Sequence, residues 1–132
     1  MISRGLIDTS VVIDAQDPQV AQALPAEVAV TTITLAELAS GPVLTRDPQE
    51  QARRQIRLQQ AEALFGSIDF DVAAARSYGL VVATAAASGR SHRQHKADFM
   101  IAAVAHSHGL ALYTRNPDDF RGLEDLISIH AV

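Results

Sequence analysis

The chain contains no cysteine and no tryptophan. Without thiols, disulfides and thiolate metal sites are excluded, and the protein folds as readily in a reducing compartment, which points to the cytoplasm. No apolar run approaches the roughly 20 residues that span a bilayer, and too few apolar residues precede Asp8 to make a signal peptide, so no membrane association is expected. A surplus of positive charge is missing as well. The formal net charge is −4, so a nucleic-acid binder that is basic over its whole surface is excluded, and any nucleic-acid contact must come from local patches or a partner. Repeats, low-complexity segments and inter-domain linkers are not evident.

What is present is an ordinary globular composition, alanine-rich and poor in aromatics, with 48 % hydrophobic and 20 % charged residues. A length of 132 residues fits one domain, 1–132, large enough to bury a core without covalent staples. Positions 2–7 read as a strand, and the apolar residues after Thr9-Ser10 read as a helix with either hydroxyl as N-cap. Pro18 and Pro25 punctuate the connection to a second strand over 26–32. Thr34-Leu-Ala-Glu37 has the spacing of a capping box, and Gly41-Pro42 stops that helix. Asp47-Pro48 opens a long polar helix to about Phe65 with Arg53, Arg54 and Arg57 on one face. Ser67–Phe70 reads as an extended linker, and Asp71 caps a helix through Ala87 so rich in Ala, Val and Leu that burial is expected. Ser88–Lys96 reads as an exposed basic loop. Ala97–His108 reads as a buried helix ended by Gly109, followed by a strand over 110–114 and a last short strand over 126–130. Strands alternating with helices predict an α/β fold with a mainly parallel sheet.

Acidic residues fall where strands end or helices begin: Asp8, Glu37, Asp98 and the turn holding Asn116 and Asp119. Each has an ordinary structural reading. Asp8 suits an Asx turn, Glu37 the capping box, Asp98 the first turn of a helix dipole, and Asp118 and Asp119 a solvated turn. Asp98, however, sits on the most apolar helix of the chain, where a carboxylate is desolvated unless something positive meets it. Together the acids suit a hard divalent cation, which takes oxygen ligands and promotes phosphodiester hydrolysis. His92 and His95, three apart, have a spacing that could hold a metal on a helix face, but in the basic loop they read as solvated or phosphate-contacting; if Arg90, Arg93 and Lys96 grip phosphates, activity falls steeply with salt.

Leu6–Asp14 (LIDTSVVID), Thr34–Leu38 (TLAEL), Lys96–Ala105 (KADFMIAAVA) and Tyr113–Phe120 (YTRNPDDF), in that order, resemble the PIN-domain ribonucleases, and specifically the VapC toxins of bacterial toxin–antitoxin pairs. The resemblance spans nearly the whole chain. It implies a three-layer α/β/α, Rossmann-like fold and endoribonuclease activity dependent on Mg²⁺ or Mn²⁺. It also implies neutralisation by a VapB-type antitoxin, a homodimer, and a hetero-oligomer with the antitoxin on DNA. Residue by residue, it places Asp8 and Asp98 on the metal and Glu37 in the acidic cluster. Where many PIN domains carry an aspartate this chain has Asn116, so Asn116 and Asp119 are carried together, with Asp119 as the acid. Ser10 and Thr114 match supporting hydroxyls, and Arg115 is assigned to a carboxylate or the scissile phosphate. Two rivals stand beside this reading: a catalytically silent PIN-like binding module, and a flavodoxin-like receiver domain. The second lacks the acidic pair expected after its first strand, and the only lysine, Lys96, precedes a helix.

Overall fold

The computed structural model describes residues 3–132; Ile2, the first residue of the expected N-terminal strand, lies outside that range. Five strands form one parallel sheet: β1 (Arg4–Ile7), β2 (Glu27–Thr31), β3 (Gly66–Ile68), β4 (Ala111–Thr114) and β5 (Ile129–Ala131), in the order β3-β2-β1-β4-β5. The chain winds outward from β1 through β2 to β3, then returns to the other side of β1 for β4 and β5. The strand order therefore reverses between β1 and β4, and in such sheets the crevice at the carboxyl ends of the reversing strands is where ligands bind. A flavodoxin-like receiver has the order 2-1-3-4-5, so that alternative fails on topology.

Helices cover both faces, because the strands alternate apolar side chains between them. Leu6, Ala29, Ile68 and Leu112 point to one side, where they meet α5 (Val72–Ala87) and α6 (Lys96–His108) together with Phe120, Leu123 and Ile127. Ile7 and Val30 point to the other side, where they meet Val11 and Val12 of α1 (Thr9–Ile13), Val20 of α2 (Pro18–Ala23), Leu38 of α3 (Thr32–Ser40) and Ala61 of α4 (Pro48–Leu64). This is the expected three-layer arrangement. None of these helices is long and apolar enough to cross a membrane.

Several local expectations give way to tertiary structure. The hydroxyls of Thr9 and Ser10 do not cap α1; the Asp8 carboxylate does, accepting from the Val11 amide. The α3 cap is Thr31, whose hydroxyl accepts from the Thr34 amide, so Thr34 lies inside the first turn and Glu37 is released from capping. The β-branched run continued one residue too far in the sequence reading because Thr suits both strands and caps. The expected linker at Ser67–Phe70 overlaps β3, a three-residue edge strand that local propensity does not announce and that exists through pairing with β2. Helix α5 is not buried all round: Ala74, Val81 and Ala85 are inside, whereas Val72 is 68 % and Leu80 47 % exposed. Composition alone hid this periodicity, since alanine fits either face.

Helix α6 ends as expected at Gly109 in a left-handed conformation, φ 62°. A second glycine governs how the far side of the site is closed. Gly122 has φ 96°, and a Cβ there would lie 2.9 Å from both Cβ and Oγ of Ser88, at the start of the α5–α6 connection. Gly122→Ala is expected to lower stability by about 1–3 kcal/mol through backbone strain and steric conflict. Urea unfolding of the two proteins checks it, and an unchanged midpoint would count against the close approach.

Candidate metal centre

Asp8 follows β1 directly and is only 4 % exposed. Its burial is tolerated because donors surround it. Oδ1 accepts from the Ser10 hydroxyl and from the Val11 amide at 3.2 Å, and Oδ2 accepts from the Thr114 hydroxyl at 2.6 Å. The Asp8 amide in turn donates to the Tyr113 carbonyl at 3.1 Å, continuing the β1–β4 pairing past the last residue of β1. Desolvation still prevails over these bonds and raises the carboxyl above its ordinary value. The supports are themselves fixed. Ser10 Oγ accepts from the Arg115 amide and Thr114 Oγ1 from the Asn116 amide, each at 3.0 Å. The two hydroxyls singled out in the sequence therefore lie beside Asp8.

Glu37 projects from the middle of α3, and its Oε1 accepts from the Thr9 hydroxyl at 2.6 Å. That bond ties α3 to the residue following Asp8, a contact between positions 28 apart that no local pattern announces. Asp98 enters from the first turn of α6. Burial, then the charges of Asp119, Glu37 and Asp8 in that order, push its carboxyl from 3.8 to about 7, with Arg90 pulling the other way. Three acids from three separate stretches thus act on Asp98 at the carboxyl edge of the sheet. Asp119 belongs to the short 3-10 turn Pro117–Phe120, and its carboxylate comes within 4.8 Å of ligand atoms on Asp98 and His95. Of the pair left open in the sequence, Asp119 brings its carboxylate to the cluster, while Asn116 contributes backbone bonds to Thr114 and Asp119.

Arg115 takes one of the two roles open to it, and His95 stands elsewhere than the sequence suggested. Arg115 meets a carboxylate, but it is Asp14, at 3.0 Å on the rim, and it also donates to the Val132 carbonyl. His95 is not a solvated loop residue. It precedes α6, stacks on Phe99 with ring centroids 5.5 Å apart, and places Nδ1 3.8 Å from Asp98 Oδ2. Its three-residue spacing from Asp98, on the inward side of the coming helix, was the available signal. Arg90 is likewise turned inward, whereas Arg93 and Lys96 stay exposed. Arg53 and Arg54 both pair with Glu50 on α4.

Fold and site together define a class: an open parallel α/β protein with an acid-lined crevice at its strand-order reversal. The match of residues 5–126 to the PIN domain makes this specific, and the chain belongs to the PIN-domain family. It is 35 % identical to Ribonuclease VapC5 of Mycobacterium tuberculosis over 130 residues, covering 97 % of this chain and 93 % of that protein. The crystal structure of VapBC-5 from the same organism, a member of the VapBC family of toxin–antitoxin systems, superposes with a TM-score of 0.85 at 33 % identity, covering 98 % and 99 % of the two chains. FitAB bound to an IR36 DNA fragment superposes at 0.76 with 26 % identity, covering 96 % and 93 %.

The raised Asp98 carboxyl has a consequence for stability. A folded-state value near 7 above the unfolded one means the folded chain holds an extra proton between them. Stability associated with this group is therefore present below about pH 4 and lost as the pH rises through about 7. In metal-free buffer, Asp98→Asn is expected to be more stable than the parent at pH 8 by about 1 kcal/mol, a value reduced by solvent screening of a side chain 30 % exposed. The difference should vanish near pH 4. Chemical denaturation in chelator at the two pH values measures both.

Proposed function

We propose that the chain is an endoribonuclease toxin, hydrolysing RNA phosphodiester bonds and held inactive by a VapB-type antitoxin. The observation that carries this reading is the convergence of Asp8, Glu37 and Asp119 on Asp98, whose carboxyl is raised to about 7 by burial first and those three charges second. Such crowding is unfavourable in an empty site and favourable around a divalent cation. Family membership and likeness to a ribonuclease and to toxin–antitoxin assemblies support the reading. Asn116, standing where many PIN domains carry an aspartate, is the feature that favours a silent binding module; the Asp119 carboxylate beside Asp98 favours the nuclease.

The donor set is all oxygen at its acidic core, which fits Mg²⁺ or Mn²⁺. Asp8 and Asp98 would hold the ion, with Glu37 and Asp119 completing the cluster. When bound, the ion supplies a more acidic water and offsets charge on the phosphodiester oxygens. The chain's own groups do the rest. Ser10 and Thr114 keep both Asp8 oxygens in fixed directions, so the carboxylate needs no reordering when substrate arrives. Thr9 occupies Oε1 of Glu37, leaving Oε2 to accept a proton from the attacking water. Asn116 and Arg115 brace the hydroxyls through their backbones. Arg93 and Lys96, exposed beside the start of α6, are placed to meet RNA phosphates, whose contribution is screened by salt.

We read 1–132 as one PIN domain acting in the cytoplasm. The partners follow from the same reading: an antitoxin, a second copy of the chain, and a complex with the antitoxin on DNA, a reading supported by the VapBC toxin–antitoxin structure and by FitAB bound to a DNA fragment.

Asp8→Asn and Asp98→Asn are expected to reduce cleavage of total RNA at least 100-fold and to abolish growth arrest on expression without the partner. Growth arrest by either variant equal to that of the parent sinks the nuclease reading. Millimolar Mn²⁺ should raise the parent's unfolding temperature by roughly 5–10 °C, as expected for occupancy near 100 times the dissociation constant. Asp98→Asn should show little of that rise.

A further inference from the structure

The α5–α6 connection carries a side-chain strut that the roles assigned above leave unused. Arg90 donates through Nη1 to the carbonyls of Asp118 and Arg121, the second at 3.0 Å, and through Nη2 to His95 Nε2 at 3.0 Å. Asp118 and Arg121 flank Asp119 in the turn that delivers it, while His95 immediately precedes the helix that delivers Asp98. One guanidinium therefore spans the two elements whose carboxylates must meet. The close approach of Ser88 to Gly122 seats the same connection on the same turn.

The direction of the Arg90–His95 bond follows from chemistry. A guanidinium has only donors, so His95 Nε2 must accept, and the proton of the neutral ring lies on Nδ1. Nδ1 is the atom 3.8 Å from Asp98 Oδ2. The ring plane is set by stacking on Phe99, which is fully buried. A nitrogen that carries a proton has no lone pair for a cation. His95, Asp98 and Asp119 offer ligand atoms within 4.8 Å of one another, but with Nε2 accepting from Arg90 and the proton on Nδ1, neither ring nitrogen of His95 is free for a cation.

We propose that Arg90 and His95 are a positioning pair that fixes Asp98 relative to Asp119, with Arg90 selecting the Nδ1–H tautomer of His95 and His95 directing that N–H at Asp98. The inference rests on the metal-site reading and deepens it: the cluster's geometry is set from the basic connection, and Arg90 is committed to architecture instead of to RNA. Groups that orient a ligand in this way typically contribute 10–100-fold in metal affinity.

The test uses the full chain without its partner, with Mn²⁺ alone as probe. Free Mn²⁺ is followed by electron paramagnetic resonance during titration of the parent, His95→Leu, His95→Asn, His95→Gln, Arg90→Met and Asp98→Asn, with circular dichroism confirming the fold of each. His95→Leu and Arg90→Met should weaken Mn²⁺ binding about 10–100-fold. His95→Asn, whose amide nitrogen overlays Nδ1, should recover most of the loss, and His95→Gln, which overlays Nε2, should not. Nitrogen-15 chemical shifts of the metal-free parent near pH 8 should show His95 protonated on Nδ1, and Arg90→Met should mix the tautomers. Parent-like affinity in both His95→Leu and Arg90→Met overturns the positioning role while leaving the metal site standing. A nitrogen-14 modulation from His95 on bound Mn²⁺, or an Nε2–H tautomer in the parent, also overturns it, by making His95 a direct ligand or reversing its donor. No Mn²⁺ binding by the parent removes the metal-site reading and this inference together.

Discussion

A carboxylate buried at the end of the central strand constrains everything near it. Asp8 is inside the protein because β1 is covered on both faces, and a desolvated carboxylate is tolerated only if its oxygens find donors. The chain supplies them from α1 and from β4, two elements from opposite ends of the sequence. Ser10 and Thr114 are in turn bonded by the amides of Arg115 and Asn116, so the turn after β4 cannot shift without disturbing the acid. The strand-order reversal brings β1 and β4 side by side; the bonds to Asp8 turn that adjacency into a defined geometry.

The second constraint is electrostatic and opposes the first. Burial and then the charges of Asp119, Glu37 and Asp8 make Asp98, brought in by α6, harder to ionise. A carboxyl held above its ordinary value works against the fold at neutral pH, a cost common at functional sites. Arg90 is the cation that relieves Asp98. The guanidinium spends its donors on two carbonyls and an imidazole, so its charge is held near Asp98 without a direct pair that would occupy the carboxylate.

Asp8, Asp98 and the turn of Asp119 were legible in the sequence because an acid beside an apolar run is costly and therefore conspicuous. The α/β alternation was legible for a similar reason, since strand and helix periods differ. Glu37 was given the wrong local partner: the capping-box spacing Thr34–Glu37 is real, yet Thr31 takes the cap and Thr9 takes the carboxylate. Sequence spacing reports neighbours along a helix and is blind to a hydroxyl 28 positions away. His95 and Arg90 were hidden by their surroundings, because a stretch as polar as SGRSHRQHK reads as solvated until its side chains are seen turning inward. Strand β3 was missed because three residues carry too little pattern, and the exposed face of α5 because alanine does not distinguish inside from outside.

The bond from Thr114 to Asp8 joins residues 106 positions apart. Closing so long a loop is entropically unfavourable and comes after local helices have formed. During synthesis, Asp8 leaves the ribosome 106 positions ahead of its supporting hydroxyl. A truncated or stalled product would carry the N-terminal aspartate with neither Thr114 nor Asp119 beside it. Whatever this edge of the sheet does therefore waits until the chain has been made as far as Thr114 and Asp119, whose side chains complete it.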